Sequence, residues 1–199
     1  MTSNASTRDV VADFMGRPVA PVSLEPPYPM TCGDYATEAD SAAAFDDIAT
    51  RLGFFIDREV SAPAVTHVGQ PENATVRIDR ILRPSMWLTG LGWDIGAVGV
   101  ELKKSNMKIG RPIAQAFDYI WARWDTDVRY IFLWPVATFG GGPLASITAQ
   151  HRIGCAAPIY TDGKLDGISF VSGGHTVARV TTARLNMGRP VHASKVGSR

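Results

Sequence analysis

Glu101 and Lys103 stand two residues apart at the end of the run Val98-Gly99-Val100-Glu101-Leu102-Lys103-Lys104. The run reads as a short apolar strand. Side chains of a strand alternate, so Glu101 and Lys103 share one face while Val98, Val100 and Leu102 share the other. Charges are rarely buried without a partner or a metal, so an acid beside a base here is either an ion pair at a sheet edge or part of a reactive site. A second carboxylate, Asp79, lies in the preceding strand, from which it can reach Glu101. Asp94 is its rival, but a strand extended from Asp94 onward would hold the two acids roughly 20 Å apart unless the chain bends at Gly96. The plain alternative for Asp79 is a salt bridge to Arg77 or Arg80.

The surrounding pattern supplies elements to position these groups. Thr37 is a helix N-cap with Glu38 and Asp40 in the first turn, and Ala42, Phe45, Ile48, Ala49 and Leu52 follow at helical spacing up to Gly53. Phe54 to Val60 predicts a strand ending near Pro63. After a polar loop through Gly69 to Asn73, Thr75 to Leu82 predicts another, stopped by Pro84. The connection 84–96 has room for a helical turn and leads into the strand that carries Glu101. Arg111-Pro112 opens a second helix with Ile113, Phe117, Ile120, Trp121 and Trp124 in one stripe, and with Gln115 and Tyr119 on the opposite side. Val128 to Val136 predicts a strand buried on both faces. A helix from Leu144 to Ile153 and two weaker strands, Gly167 to Ser172 and Thr176 to Thr181, complete the pattern. The expected organisation is an N-terminal arm and connector over 1–36, with a helical stretch around Asp9 to Met15 and then several prolines. A domain over 37–182 and a basic, flexible tail over 183–199 follow it.

A chain of 199 residues with 45% hydrophobic and 20% charged residues fits one soluble globular domain rather than a disordered or membrane-spanning chain. No apolar run is long enough to span a bilayer. Cys32 and Cys155 sit in no CxxC or Cys/His cluster, so neither a disulfide framework nor a zinc site is signalled, and a cytoplasmic location is expected. The near-zero net charge conceals an uneven distribution. Residues 1–101 hold fourteen acids against seven bases, and residues 102–199 five acids against thirteen bases. Such asymmetry suits a basic surface facing a polyanion and an acidic cluster holding a divalent cation; it also suits a solvated tail.

The order helix, three strands, helix, strand, with Asp79, Glu101-Leu102-Lys103, Gln115 and Tyr119 placed as above, resembles the PD-(D/E)xK nuclease superfamily over about residues 37–136. Ile78 stands where the proline of the family name would be. The combination also resembles small nuclease-like proteins of phages and prophages. The resemblance implies a restriction-endonuclease-like α-β-β-β-α-β core, an α/β fold whose central mixed sheet is flanked by helices, here with additions at both ends. It further implies Mg²⁺-dependent hydrolysis of DNA phosphodiesters to 5′-phosphate products, with Mn²⁺ as a substitute, and in many small members a homodimer.

Under that resemblance Asp79, Glu101 and the backbone carbonyl of Leu102 are the expected metal ligands. This is a hard-oxygen set of the kind Mg²⁺ prefers, since it keeps several waters. Lys103 would stand beside the attacking water, and the cation would neutralise charge building on the phosphoryl oxygens. Glu38 matches an acidic residue on the first helix that binds a second metal or a water, although Asp40, Asp46 and Asp47 compete for that place and its charge also suits a helix N-terminus. Gln115 matches a glutamine near the site. Tyr119, Lys104, Lys108 and Arg111 are candidate nucleic-acid contacts. Trp121, Trp124 and Trp134 sit at core-like positions, so Trp87 and Trp93 are the tryptophans more suited to touching DNA. Two other chemistries lack their motifs: His151 and His175 have no nucleophile nearby, and Gly140-Gly141-Gly142 has no following GK[ST]. A catalytically inactive module that binds DNA or protein on the same fold is the alternative.

Overall fold

The computed structural model describes residues 33–64, 74–108, 110–140 and 142–188. The expected helical stretch around Asp9, the proline connector, Cys32, the polar loop at 69–73, and the tail beyond 188 lie outside the described residues.

The elements in chain order are α1 (Glu38–Arg51), β1 (Phe54–Pro63), β2 (Thr75–Pro84), α2 (Met86–Gly90), β3 (Ala97–Leu102), α3 (Gly110–Ile120) and β4 (Val128–Trp134). They continue with α4 (Pro143–Gln150), β5 (Ile153–Thr161), β6 (Lys164–Ser172), β7 (His175–Thr181) and β8 (Leu185–Met187). All eight strands form one sheet in sequential order. The β3–β4 and β4–β5 pairs are parallel and every other pair is antiparallel, so the sheet is mixed. Each parallel pair needs a crossover, and α3 and α4 supply them.

Local chemistry accounts for the boundaries. Thr37 and Asp40 form a reciprocal capping box at the start of α1. The chain leaves that helix through Gly53 at φ 88°, a conformation glycine adopts without penalty. Ser85 caps α2 by accepting the Leu88 N–H.

Helices cover both faces of the sheet. On one face Phe45 and Ile48 of α1 and its C-cap Leu52 pack with Val98, Val100 and Leu102 of β3, Phe132 and Trp134 of β4, and Phe170 of β6. On the other, Ile113, Ala116 and Tyr119 of α3 pack with Ile81, Ile131, Leu133 and Ile153. Both faces of β3 are therefore buried along its whole length. Space on the α3 face is tight at Gly99, where an added Cβ would come within 2.5 Å of Ile78 Cδ1 and 2.7 Å of Ile131 Cδ1.

Four expectations need correction. The helix drawn from Leu144 to Ile153 ends at Gln150, and Ile153 instead begins β5, a strand missing from the sequence reading. The segment expected to start the loose tail contributes β8, which pairs with β7 from Ala178 to Val180. Trp121, expected in the core, is 49% exposed because α3 stops at Ile120. Trp93 is buried, with Phe54 and Phe170 edge-on at 4.9 and 5.7 Å, so it offers no aromatic surface to DNA, whereas Trp87 is exposed.

Candidate metal and catalytic site

The site lies where β2 and β3 part company. Their register runs from Leu82↔Val98 to Arg80↔Val100 and stops there. One residue further along each strand, the pair in register would be Asp79 and Glu101, and a side chain takes over from the ladder: the Leu102 N–H donates to Asp79 Oδ2 at 2.7 Å. A residue in an extended strand directs its N–H and its C=O to the same edge, so the Leu102 carbonyl faces the gap where Asp79 sits. On its other side β3 stays joined to β4, with Lys103 N–H donating to Trp134 O at 2.8 Å.

Glu101 is 3% exposed. Its Oε1 is 2.7 Å from Lys103 Nζ, while Oε2 is buried with no hydrogen-bond partner among the described residues. The Tyr119 hydroxyl lies beside the same carboxylate and gives weaker hydrogen-bonding support, without completing a bond to Oε2. Burial pushes the Glu101 carboxyl above its ordinary range; the Lys103 hydrogen bond opposes this and the Asp79 charge adds to it. For Lys103, burial disfavours the ammonium, but the Glu101 carboxylate outweighs that and raises its pKa, with help from Glu38 and Asp79. Burial, followed by the Glu101 charge, drives the Tyr119 phenol upward. Asp79, Glu101, Lys103 and Tyr119 thus act on one another electrostatically, and Glu38 joins at the rim, 3.8 Å from Lys103 Nζ.

The acids that compete with these are engaged elsewhere. Asp40 caps α1, Asp47 pairs with Arg51, and Asp46 bridges Arg58 and Arg80. Arg77 pairs with Glu59, and Arg80 gives its side chain to Asp46, touching Asp79 only at the backbone carbonyl. The salt bridge that would have explained Asp79 is therefore not formed. Asp94 precedes β3, at the opposite end of that strand from Glu101, and is exposed.

The other expected residues are dispersed around this centre. Gln115 is half-buried one turn before Tyr119, with no hydrogen bond to the cluster. Lys104, Lys108 and Arg111 are exposed on the segment leading from β3 into α3. That segment is tied down at Ser105, which exchanges hydrogen bonds with Tyr35 and donates to the Gly33 carbonyl. Tyr119 departs from its expected place, because it is 4% exposed and faces Glu101 rather than solvent. The expected stripe holds for Ile113, Phe117, Ile120 and Trp124, which all pack in the core on the α3 face; Tyr119, assigned to the opposite side of the helix, is buried with them.

A divalent cation suits this donor set. One oxygen of each carboxylate is committed, Asp79 Oδ2 to Leu102 and Glu101 Oε1 to Lys103. The Glu101 Oε2, buried and without a donor, is a group that costs free energy unless a cation or a proton meets it. Among the described residues no three His, Cys, Asp or Glu side chains are grouped closely enough to hold a metal. A cation here would therefore depend on two carboxylates, a carbonyl and water, with Glu38 at most an outer contributor.

No family model, curated protein or solved structure matches the chain.

Proposed function

We propose that the chain is a Mg²⁺-dependent DNA nuclease of the PD-(D/E)xK type, with a restriction-endonuclease-like core spanning α1 to β4. The observation that carries this reading is the meeting of Asp79, Glu101 and Lys103 at the open end of the β2–β3 ladder, with Glu101 Oε2 unpartnered. The helix, three strands, helix, strand order and the parallel β3–β4–β5 run support it.

Asp79 and Glu101 would hold the cation, with the Leu102 carbonyl as third protein ligand. The bound ion would supply Lewis acidity toward a phosphoryl oxygen and lower the pKa of its water. The rest of the chemistry falls to the chain's own side chains. Lys103 carries a fixed positive charge at the mouth of the site, where it can orient a nucleophilic water or donate to a non-bridging phosphate oxygen. Tyr119 and the α3 face keep bulk water from Glu101, which strengthens electrostatic interactions there. Lys104, Lys108 and Arg111 lie beside the site and suit contacts with the phosphates of a DNA backbone.

Incubation with DNA and Mg²⁺ or Mn²⁺ should nick or degrade it, and EDTA should stop the reaction. Undiminished cleavage by Lys103→Ala would overturn the assignment.

One feature favours a second reading, a binding module without turnover. Lys103 and Leu102 already satisfy one oxygen of each carboxylate, as in a purely structural polar cluster. Retardation of DNA in a gel with no cleavage under any divalent metal would select that reading.

A further inference from the structure

A second concave site lies at the other end of the sheet. Glu101 is at the C-terminal end of β3, whereas a cavity of about 770 Å³ opens at the N-terminal ends of β3 and β4, bounded by α4 and the β6–β7 turn. Its wall includes Tyr130 and Met187 as apolar surface and Asp94, Arg129, Arg152 and His175 as polar groups. The volume lies in the range of small-molecule sites, which combine apolar walls with a few polar groups.

Two features give this cavity a chemical bias. The Tyr130 ring stacks on Phe132 at 5.6 Å with an interplanar angle of 12°, so one face is braced from behind by a fully buried aromatic. A ring held this way is a preformed platform for a flat heteroaromatic group, which gains stacking energy without ordering a mobile side chain. The second feature is cationic charge. Arg129 lies across Gly96, where an added Cβ would come within 3.4 Å of its Nε, and Asp127 pairs with it at 2.7 Å. Arg152, exposed and held at φ 57° between α4 and β5, forms no salt bridge with any acid among the described residues. Its guanidinium is thus available for bidentate contact with a phosphate. Asp94 is an acceptor suited to an amino or hydroxyl group, and His175 is a further polar contact.

We propose that this cavity binds a nucleoside phosphate, with the base against Tyr130 and the phosphate on Arg152, apart from the Asp79–Glu101 site. The ligand is either a free nucleotide or one nucleotide of a single strand. This site does not depend on the nuclease reading, because none of its residues belongs to the metal cluster.

The test is equilibrium binding in EDTA, so that no cleavage intrudes, using a labelled mononucleotide and a labelled oligothymidylate in separate titrations. The proteins compared are wild type, Arg152→Gln and Tyr130→Leu, each with its fold verified by circular dichroism. Arg152→Gln is expected to weaken binding about tenfold, the scale of one charge-assisted contact. It should also reduce the salt dependence of oligonucleotide binding by about 0.7 in log–log slope. Tyr130→Leu should weaken binding while leaving that slope unchanged. Binding of the mononucleotide identifies a free nucleotide as the ligand, and binding of the oligonucleotide alone identifies a strand. Absence of binding to both probes would overturn the proposal, as would affinities and slopes that Arg152→Gln leaves at the wild-type value. A Tyr130→Leu protein that fails to fold would be replaced by Met187→Glu, which sets a carboxylate in the cavity wall and should weaken binding of both probes; wild-type affinity in that variant would overturn the proposal.

Discussion

The Leu102 N–H donates to Asp79 Oδ2 at 2.7 Å, so a side chain from β2 closes the ladder that β2 and β3 have ceased to form by backbone pairing. Asp79 therefore has a structural task, satisfying a buried backbone donor, in addition to any chemical one. The two tasks can be separated. Asp79→Asn retains a carbonyl oxygen to accept the Leu102 N–H, and should keep most of its stability while losing metal-dependent cleavage. Asp79→Ala leaves the donor unmet and should lose roughly 1–3 kcal/mol as well. Urea denaturation beside a cleavage assay distinguishes them; equal destabilisation by both variants would contradict the capping role.

Breaking the Glu101–Lys103 pair should cost more than replacing both partners. Lys103→Met leaves a buried carboxylate without its cation, at a cost on the order of 3 kcal/mol. Glu101→Gln combined with Lys103→Met should recover a large part of that loss and remain inactive. A double-mutant cycle by chemical denaturation measures the coupling, and strict additivity would show that the 2.7 Å contact contributes little.

The pH dependence follows from the direction of the Glu101 shift. Its folded-state pKa lies above the unfolded value because burial and the Asp79 charge disfavour the carboxylate. The folded state thus binds more protons, and stability should decline as pH rises from the ordinary glutamate value through the raised one. Glu101→Gln should flatten that segment of the stability–pH curve. Asp46 has the opposite sign. Burial opposes its charge, but hydrogen bonds from Arg80 and Arg58 lower its pKa overall. Its contribution is present above the ordinary aspartate value and is lost as the pH falls through the lowered one, a loss that Asp46→Asn should abolish. Denaturation curves across the acid range test both.

A proton on Glu101 also competes with a cation. Metal affinity should therefore rise with pH across the raised Glu101 range, with protons released on binding. Calorimetric titration with Mg²⁺ or Mn²⁺ in buffers of different ionisation enthalpy detects those protons, and a pH-independent affinity would speak against Glu101 as a ligand.

Much of the arrangement was legible in the residues. The capping pair Thr37 and Asp40, the stop at Gly53, and the alternation through Thr75 to Leu82 each express a local preference, and local preferences survive into the fold. Glu101 and Lys103 were likewise placed together by simple alternation. What escaped depended on tertiary context. Ile153-Gly154-Cys155-Ala156-Ala157 lacks strong strand formers after its first residue, and it becomes β5 because β4 and β6 hold it from both sides. Gly154 even requires its small size, since a Cβ would come within 2.3 Å of the Val171 carbonyl oxygen. Tyr119 escaped for a related reason: the stripe of Ile113, Phe117 and Ile120 marked the face that meets the sheet, but no spacing within the helix shows that Glu101 on β3 lies where the Tyr119 hydroxyl is buried. The partners of Asp46, Arg58 and Arg80 converge from three elements, and no linear spacing encodes such a meeting.

The site itself is tested most directly by locating a metal. Crystals soaked in Mn²⁺ and measured for anomalous scattering should show a peak between Asp79 and Glu101, about 2.2 Å from an oxygen of each and within reach of the Leu102 carbonyl. That peak should vanish in Glu101→Gln. A peak at Asp94 instead, or an empty gap between Asp79 and Glu101 at saturating Mn²⁺, would contradict the proposed metal site.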